Sequence, residues 1–120
     1  MEIVENIKEQ LFNKGDFNVW TVNMIRADYE GWWLFDDWRE KICEQYHFEN
    51  YEDMLEKYKD LVCLSKTKFD NFTKGKYNIY AFYNNCDMRF CEDCDEDMQI
   101  FYSFIVLNNN EVYYDLPIIE

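Results

Sequence analysis

Cys86, Cys91 and Cys94 stand in a C-x4-C-x2-C arrangement, and three thiolates at that spacing can be presented to one metal ion. Zinc closes a tetrahedron of four sulfur or nitrogen ligands, so Cys43, Cys63 or His47 would have to supply the fourth. The alternative is plain loop thiols beside a strand, since no second C-x2-C pair is present. Redox chemistry of the thioredoxin type is disfavoured, because no βαβ pattern precedes the pair and the surrounding acids oppose a thiolate.

Glu92, Asp93, Asp95, Glu96 and Asp97 follow in the same stretch. Asp93, Asp95 and Asp97 imitate the odd-numbered ligands of a calcium loop. Met98 stands where that loop requires Gly, and Phe104 where it requires a bidentate Glu, so calcium is not expected. The run is then either a solvated loop or a strip of charge that imitates phosphates and docks on Arg or Lys of a partner.

A third group is aromatic: Trp32, Trp33, Phe35 and Trp38, flanked by Glu30, Asp36 and Asp37. Four large rings in seven residues cannot all be buried with helix or strand geometry. Some are core, and one or two are expected at the surface, where Trp beside carboxylates anchors a basic partner. Lys66, Lys68, Lys74 and Lys76 surround Phe69 and Phe72, a pattern that suits single-stranded nucleic acid or simply a solvated loop. Enzyme signatures are absent. There is one histidine, and three glycines exclude a dinucleotide fingerprint.

Periodicity suggests the elements that must carry these groups. Ile3, Val4, Ile7, Leu11 and Phe12 recur at helical spacing, which predicts an amphipathic helix over 2–13. Alternation and β-branched content predict a strand over 17–27, followed by a turn over 28–31. Asp36 or Asp37 is read as the N-cap of a helix reaching residue 46. Asn50 is read as the cap of a second, with Tyr51, Met54, Leu55, Tyr58, Leu61 and Val62 buried. Residues 65–74 are read as a connection. Strands are predicted over 76–83, 98–107 and 112–117, the last two joined by a hairpin turn at Asn108, Asn109, Asn110 and Glu111. The fold class expected is α+β, with about four mostly antiparallel strands and two to three helices packed on one face.

The 120 residues are expected to form one domain. No apolar stretch is long enough for a membrane span. The N-terminal segment lacks the basic and apolar regions of a secretory signal. Five cysteines, an odd number, then fit reduced thiols in a cytoplasmic protein. Twenty-five Asp and Glu against twelve Lys and Arg leave a net charge of −13, so the surface repels phosphate backbones.

Two segments carry a family likeness. Residues 28–38, Asp-Tyr-Glu-Gly-Trp-Trp-Leu-Phe-Asp-Asp-Trp, resemble a D-x-E-P-W-W-F-x-x-x-W stretch of a family of small uncharacterised proteins of low-GC Gram-positive bacteria. Residues 90–99, Phe-Cys-Glu-Asp-Cys-Asp-Glu-Asp-Met-Gln, resemble its W-C-E-E-C-D-x-x-L-Q stretch. The likeness covers about residues 22–107, which makes 1–13 an addition to the core. Gly31 stands where the family tends to have Pro, and Tyr102 where a His is expected. Members carry the label of a domain of unknown function and often that of a DNA-binding protein, which conflicts with the charge of this chain.

The expectation is therefore a non-catalytic acidic interaction protein that binds a basic protein, one that itself holds nucleic acid, with no direct grip on nucleic acid or membrane. DNA mimics and anti-CRISPR inhibitors carried by phages or plasmids have this size and charge. Glu92, Asp93, Asp95, Glu96 and Asp97 are the expected charge strip, with Asp36, Asp37 and Trp33 as a second contact. No cofactor is expected, structural zinc on Cys86, Cys91 and Cys94 being the exception. The alternative is a zinc-stabilised regulatory module that touches nucleic acid through residues 66–76.

Overall fold

The computed structural model describes residues 18–91 and 96–119, with positions 89–91, 96 and 97 described by their backbone alone. The expected helix over 2–13 lies outside the described residues.

β1 (Trp20–Ala27) is the centre of the architecture. Its two faces are both covered: Trp20 and Val22 are buried on one, Thr21, Asn23, Ile25 and Ala27 on the other. A strand enclosed on both faces cannot leave its backbone groups to water, so both of its edges need hydrogen-bonding partners. β7 (Phe101–Asn108) supplies one and β2 (Ile42–Phe48) the other, both antiparallel. β4 (Tyr80–Tyr83) continues on the far side of β7, and β3 (Asn71–Lys74) closes that edge. The order is β2-β1-β7-β4-β3, and the short β8 (Glu111–Val112) also pairs with β7. β5 (Met88–Cys91) and β6 (Glu96–Gln99) form a separate two-stranded ribbon between β4 and β7.

One helix, α1 (Tyr51–Lys68), is present among the described residues. Asn50 Oδ1 accepts from the Asp53 amide at 2.8 Å, which satisfies one orphan N–H of the first turn. Met54, Tyr58, Val62 and Ser65 make its buried face. The helix lies on the sheet face carrying Trp20 and Phe82. Tyr51 meets the Trp20 ring edge-on at 5.2 Å, and Phe69, just past the helix, lies 5.7 Å from Phe82. The C-terminal tail is tied to the same face by Tyr80, whose hydroxyl donates to the Ile119 carbonyl at 2.6 Å.

The expected fold class is overturned: among the described residues a six-stranded antiparallel sheet with one helix replaces four strands under two to three helices. The segment read as a helix over 36–46 is a single 3₁₀ turn, Trp38–Lys41, followed by β2. Ile42 and Tyr46 fit a helix at i, i+4, but Tyr46 and Phe48 alternate opposite Val22 and Trp20, an irregularity in register places Ile42 opposite Ile25, and pairing with the open edge of β1 selects the extended form. The expected connection over 65–74 divides into the end of α1 and strand β3. The strand over 76–83 begins only at Tyr80, because Tyr77 and Asn78 both sit at φ 61° and break the extended chain. The strand over 98–107 is interrupted at Ile100, and that over 112–117 stops after Val112. None of the helices among the described residues is long and apolar enough to cross a membrane.

Candidate functional site

The sheet face opposite α1 is covered by the chain that leaves β1. Gly31 starts a 3₁₀ turn (Gly31–Trp33) and lies directly on β7, its amide donating to Ser103 Oγ at 3.1 Å. A Cβ at position 31 would fall 2.7 Å from that same oxygen, so the close approach depends on glycine. Pro, which the likeness above places here, carries both a Cβ and no N–H. On the next turn of chain, Trp32 packs on Gly75, where an added Cβ would run into its indole ring. Leu34 ends the turn in the left-handed region at φ 48°, a strained position for a branched side chain.

This seating divides the aromatic cluster. Trp38 is buried, 6% exposed, and joins the main core. Trp32 is half-buried. Trp33 and Phe35 point outward, 47% and 49% exposed, with parallel rings 6.4 Å apart. The outward rings are held in place. Trp33 Nε1 donates to Glu30 Oε1 at 3.2 Å, and Tyr29 meets Phe35 edge-on at 4.7 Å. The Tyr29 hydroxyl in turn donates to Asp37 Oδ1 at 3.1 Å. Burial, and then the hydrogen bond to that carboxylate, push the Tyr29 phenol up to about 12. Asp36 and Asp37 are exposed, and Lys41 lies 3.8 Å from Asp37.

The acidic strip falls elsewhere. Glu92, Asp93 and Asp95 lie outside the described residues, while Glu96 and Asp97 occupy β6 by their backbone. The ribbon and the aromatic loop leave the sheet at the same end, because Ala27 pairs with Phe101. Gln99 locks the base of the ribbon by donating to the carbonyls of Asn84 and Asp87. Cys86 is an exposed free thiol, Cys91 is in β5, and Cys94 lies outside the described residues. His47 pairs with Thr21, six residues along β1 from the ribbon end, or about 20 Å at the usual strand rise. It is too distant to complete a metal site there. Cys63 is exposed on α1, and Cys43, at the ribbon end of β2, has its thiol pushed up by burial and by Glu44. No three metal-binding side chains gather among the described residues.

What sequence reasoning missed is the placement of the cations. Arg26, Arg39, Lys57, Lys66, Lys68 and Lys76 each lie over an aromatic ring, at 4.8–5.9 Å from its centroid. Lys66 sits between Phe72 and Tyr80 and donates to the Ile119 carbonyl at 3.2 Å, so it is part of the scaffold. The only signal in the sequence was the interleaving of Lys with Phe and Tyr. A concavity of about 490 Å³ is an open cleft lined by His47, Glu49, Asn50 and Asp53, and its Asn50 amide is already engaged in capping α1 and in donating to the Asp53 carboxylate.

Residues 19–115 match the family model described as a protein of unknown function (DUF1033). The chain belongs to that family. The likeness to an uncharacterised domain family therefore holds, and the match begins beyond the segment set apart as an addition. No curated protein and no solved structure matches the chain.

Proposed function

We propose that this protein is a non-catalytic, metal-independent interaction module that binds the basic surface of another protein, one whose own task is to hold nucleic acid. The observation that carries the reading is the outward Trp33–Phe35 pair, clamped by Glu30 and by Tyr29 and edged by Asp36 and Asp37, in a chain of net charge −13. Exposed aromatic anchors beside carboxylates are what an interface needs for both affinity and steering. The chain's own cations add support. Lys66, over Phe72 and Tyr80 and bound to the Ile119 carbonyl, is engaged in the scaffold, and a net charge of −13 keeps the outward field negative. The ribbon bearing the acidic run leaves the sheet at the same end as the aromatic loop and would extend the contact.

In its most concrete form the module is an inhibitor of the DNA-mimic or anti-CRISPR kind from a bacterial mobile element, located in the cytoplasm. The DNA-binding label of the resembling proteins then describes the partner's ligand rather than this chain's own. The test is capture of partners by immobilised protein, followed by elution with salt and competition by DNA or guide RNA. A charge-driven contact weakens as the Debye length falls from about 10 Å at 0.1 M salt to about 3 Å at 1 M. Captured basic proteins should elute with salt and be displaced by nucleic acid. Tight binding of a bare duplex by this protein alone would falsify the reading.

A further inference from the structure

We infer that the exposed face of Trp33 is an arginine-reading subsite of that surface, and that Lys76 guards it from within. The inference rests on the interaction reading above and names the group the surface recognises. Lys76 Nζ lies 4.8 Å from the centroid of the Trp33 ring, so a cation already occupies this indole face in the free protein. The ring is prearranged for it: its N–H is bound to Glu30, and Phe35 lies parallel within 9°. Both rings remain about half exposed.

The occupant is weakly held. Lys76 is exposed, and an ammonium is strongly hydrated and makes a poor partner for a flat ring. A guanidinium from a partner is planar and weakly hydrated. It can stack on indole while its N–H groups reach a carboxylate beside it, and Glu30 and Asp36 flank this ring in the chain. Exchange of Lys76 for an incoming arginine therefore keeps a cation on the ring and returns the ammonium to water. The subsite selects arginine over lysine, and Lys76 lowers affinity for both.

The experiment uses the full chain with a hexa-arginine and a hexa-lysine peptide, titrated calorimetrically at low salt, while NMR follows the Trp33 indole N–H. Cation–π contacts at exposed sites predict that the arginine peptide binds about two- to fivefold more tightly than the lysine peptide. Trp33→Ala should abolish that preference. Lys76→Gln should raise arginine affinity by more than Lys74→Gln, which removes the same charge from exposed β3. Equal affinity for the two peptides overturns the subsite and leaves the broader acidic reading standing. So does a preference that survives Trp33→Ala, or identical effects of the two lysine substitutions. If neither peptide binds, the interaction reading falls along with the subsite.

Discussion

Gly31→Ala is the sharpest perturbation of the surface that presents Trp33. Ser103, under Gly31, cannot retreat, because β7 is paired on one side with β1 at Ile25 and on the other with β4 at Ala81. The new methyl would stand 2.7 Å from Ser103 Oγ, where ordinary contact begins at 3.4 Å, and closer still to its Cβ. The loop must therefore lift by well over half an ångström. Overpacking of this kind costs about 1–3 kcal/mol. Stretching the buried 3.1 Å bond between the Gly31 amide and Ser103 adds about 1 kcal/mol, for a total of about 2–4 kcal/mol. Urea unfolding followed by fluorescence and by circular dichroism measures this directly. Ser103→Gly removes both clashing atoms, so the double variant Gly31→Ala with Ser103→Gly should recover at least ~1 kcal/mol relative to the sum of the single effects. Additive effects, or a Gly31→Ala cost under about 0.5 kcal/mol, would mean that the close approach is not what seats the loop.

Three other outcomes are expected. Asn50→Ala should cost about 1 kcal/mol in the same unfolding assay, because the Asp53 amide loses its acceptor; an unchanged midpoint contradicts the cap. Tyr58 is fully buried and its hydroxyl meets no partner among the described residues, so Tyr58→Phe should stabilise by about 1–3 kcal/mol; a loss of similar size would reveal a bond to that oxygen. Alkali should destabilise the fold. Tyr29 ionises near its ordinary value of 10 in the unfolded chain and at about 12 in the folded one, so the unfolded state loses its proton first. Its contribution is complete below about pH 10 and is lost as pH rises to about 12; Tyr58 and Tyr113, raised chiefly by burial, act in the same direction. Stability measured across that window should fall less steeply in Tyr29→Phe, and a flat profile for the native chain would refute the assignment.

The sequence by itself determined what closes within a few residues. The Asn50 cap and the face of Met54, Tyr58 and Val62 define α1, since a helix makes its hydrogen bonds at a separation of four. Asn109 and Asn110, at φ 53° and 72°, form the two-residue turn between β7 and β8, because asparagine tolerates that region at little cost. The negative charge is likewise pure composition. Only the tertiary structure decided the edges and the site. β2 reads as a helix until the unpaired edge of β1 claims it, and β3 reads as a connection until β4 does the same. A strand's hydrogen bonds belong to a partner far along the chain, so a weakly patterned edge strand leaves little local trace. The division of the tryptophans has the same origin. Trp38 is core and Trp33 is surface because Gly31 seats the intervening turn on Ser103, seventy-two residues away.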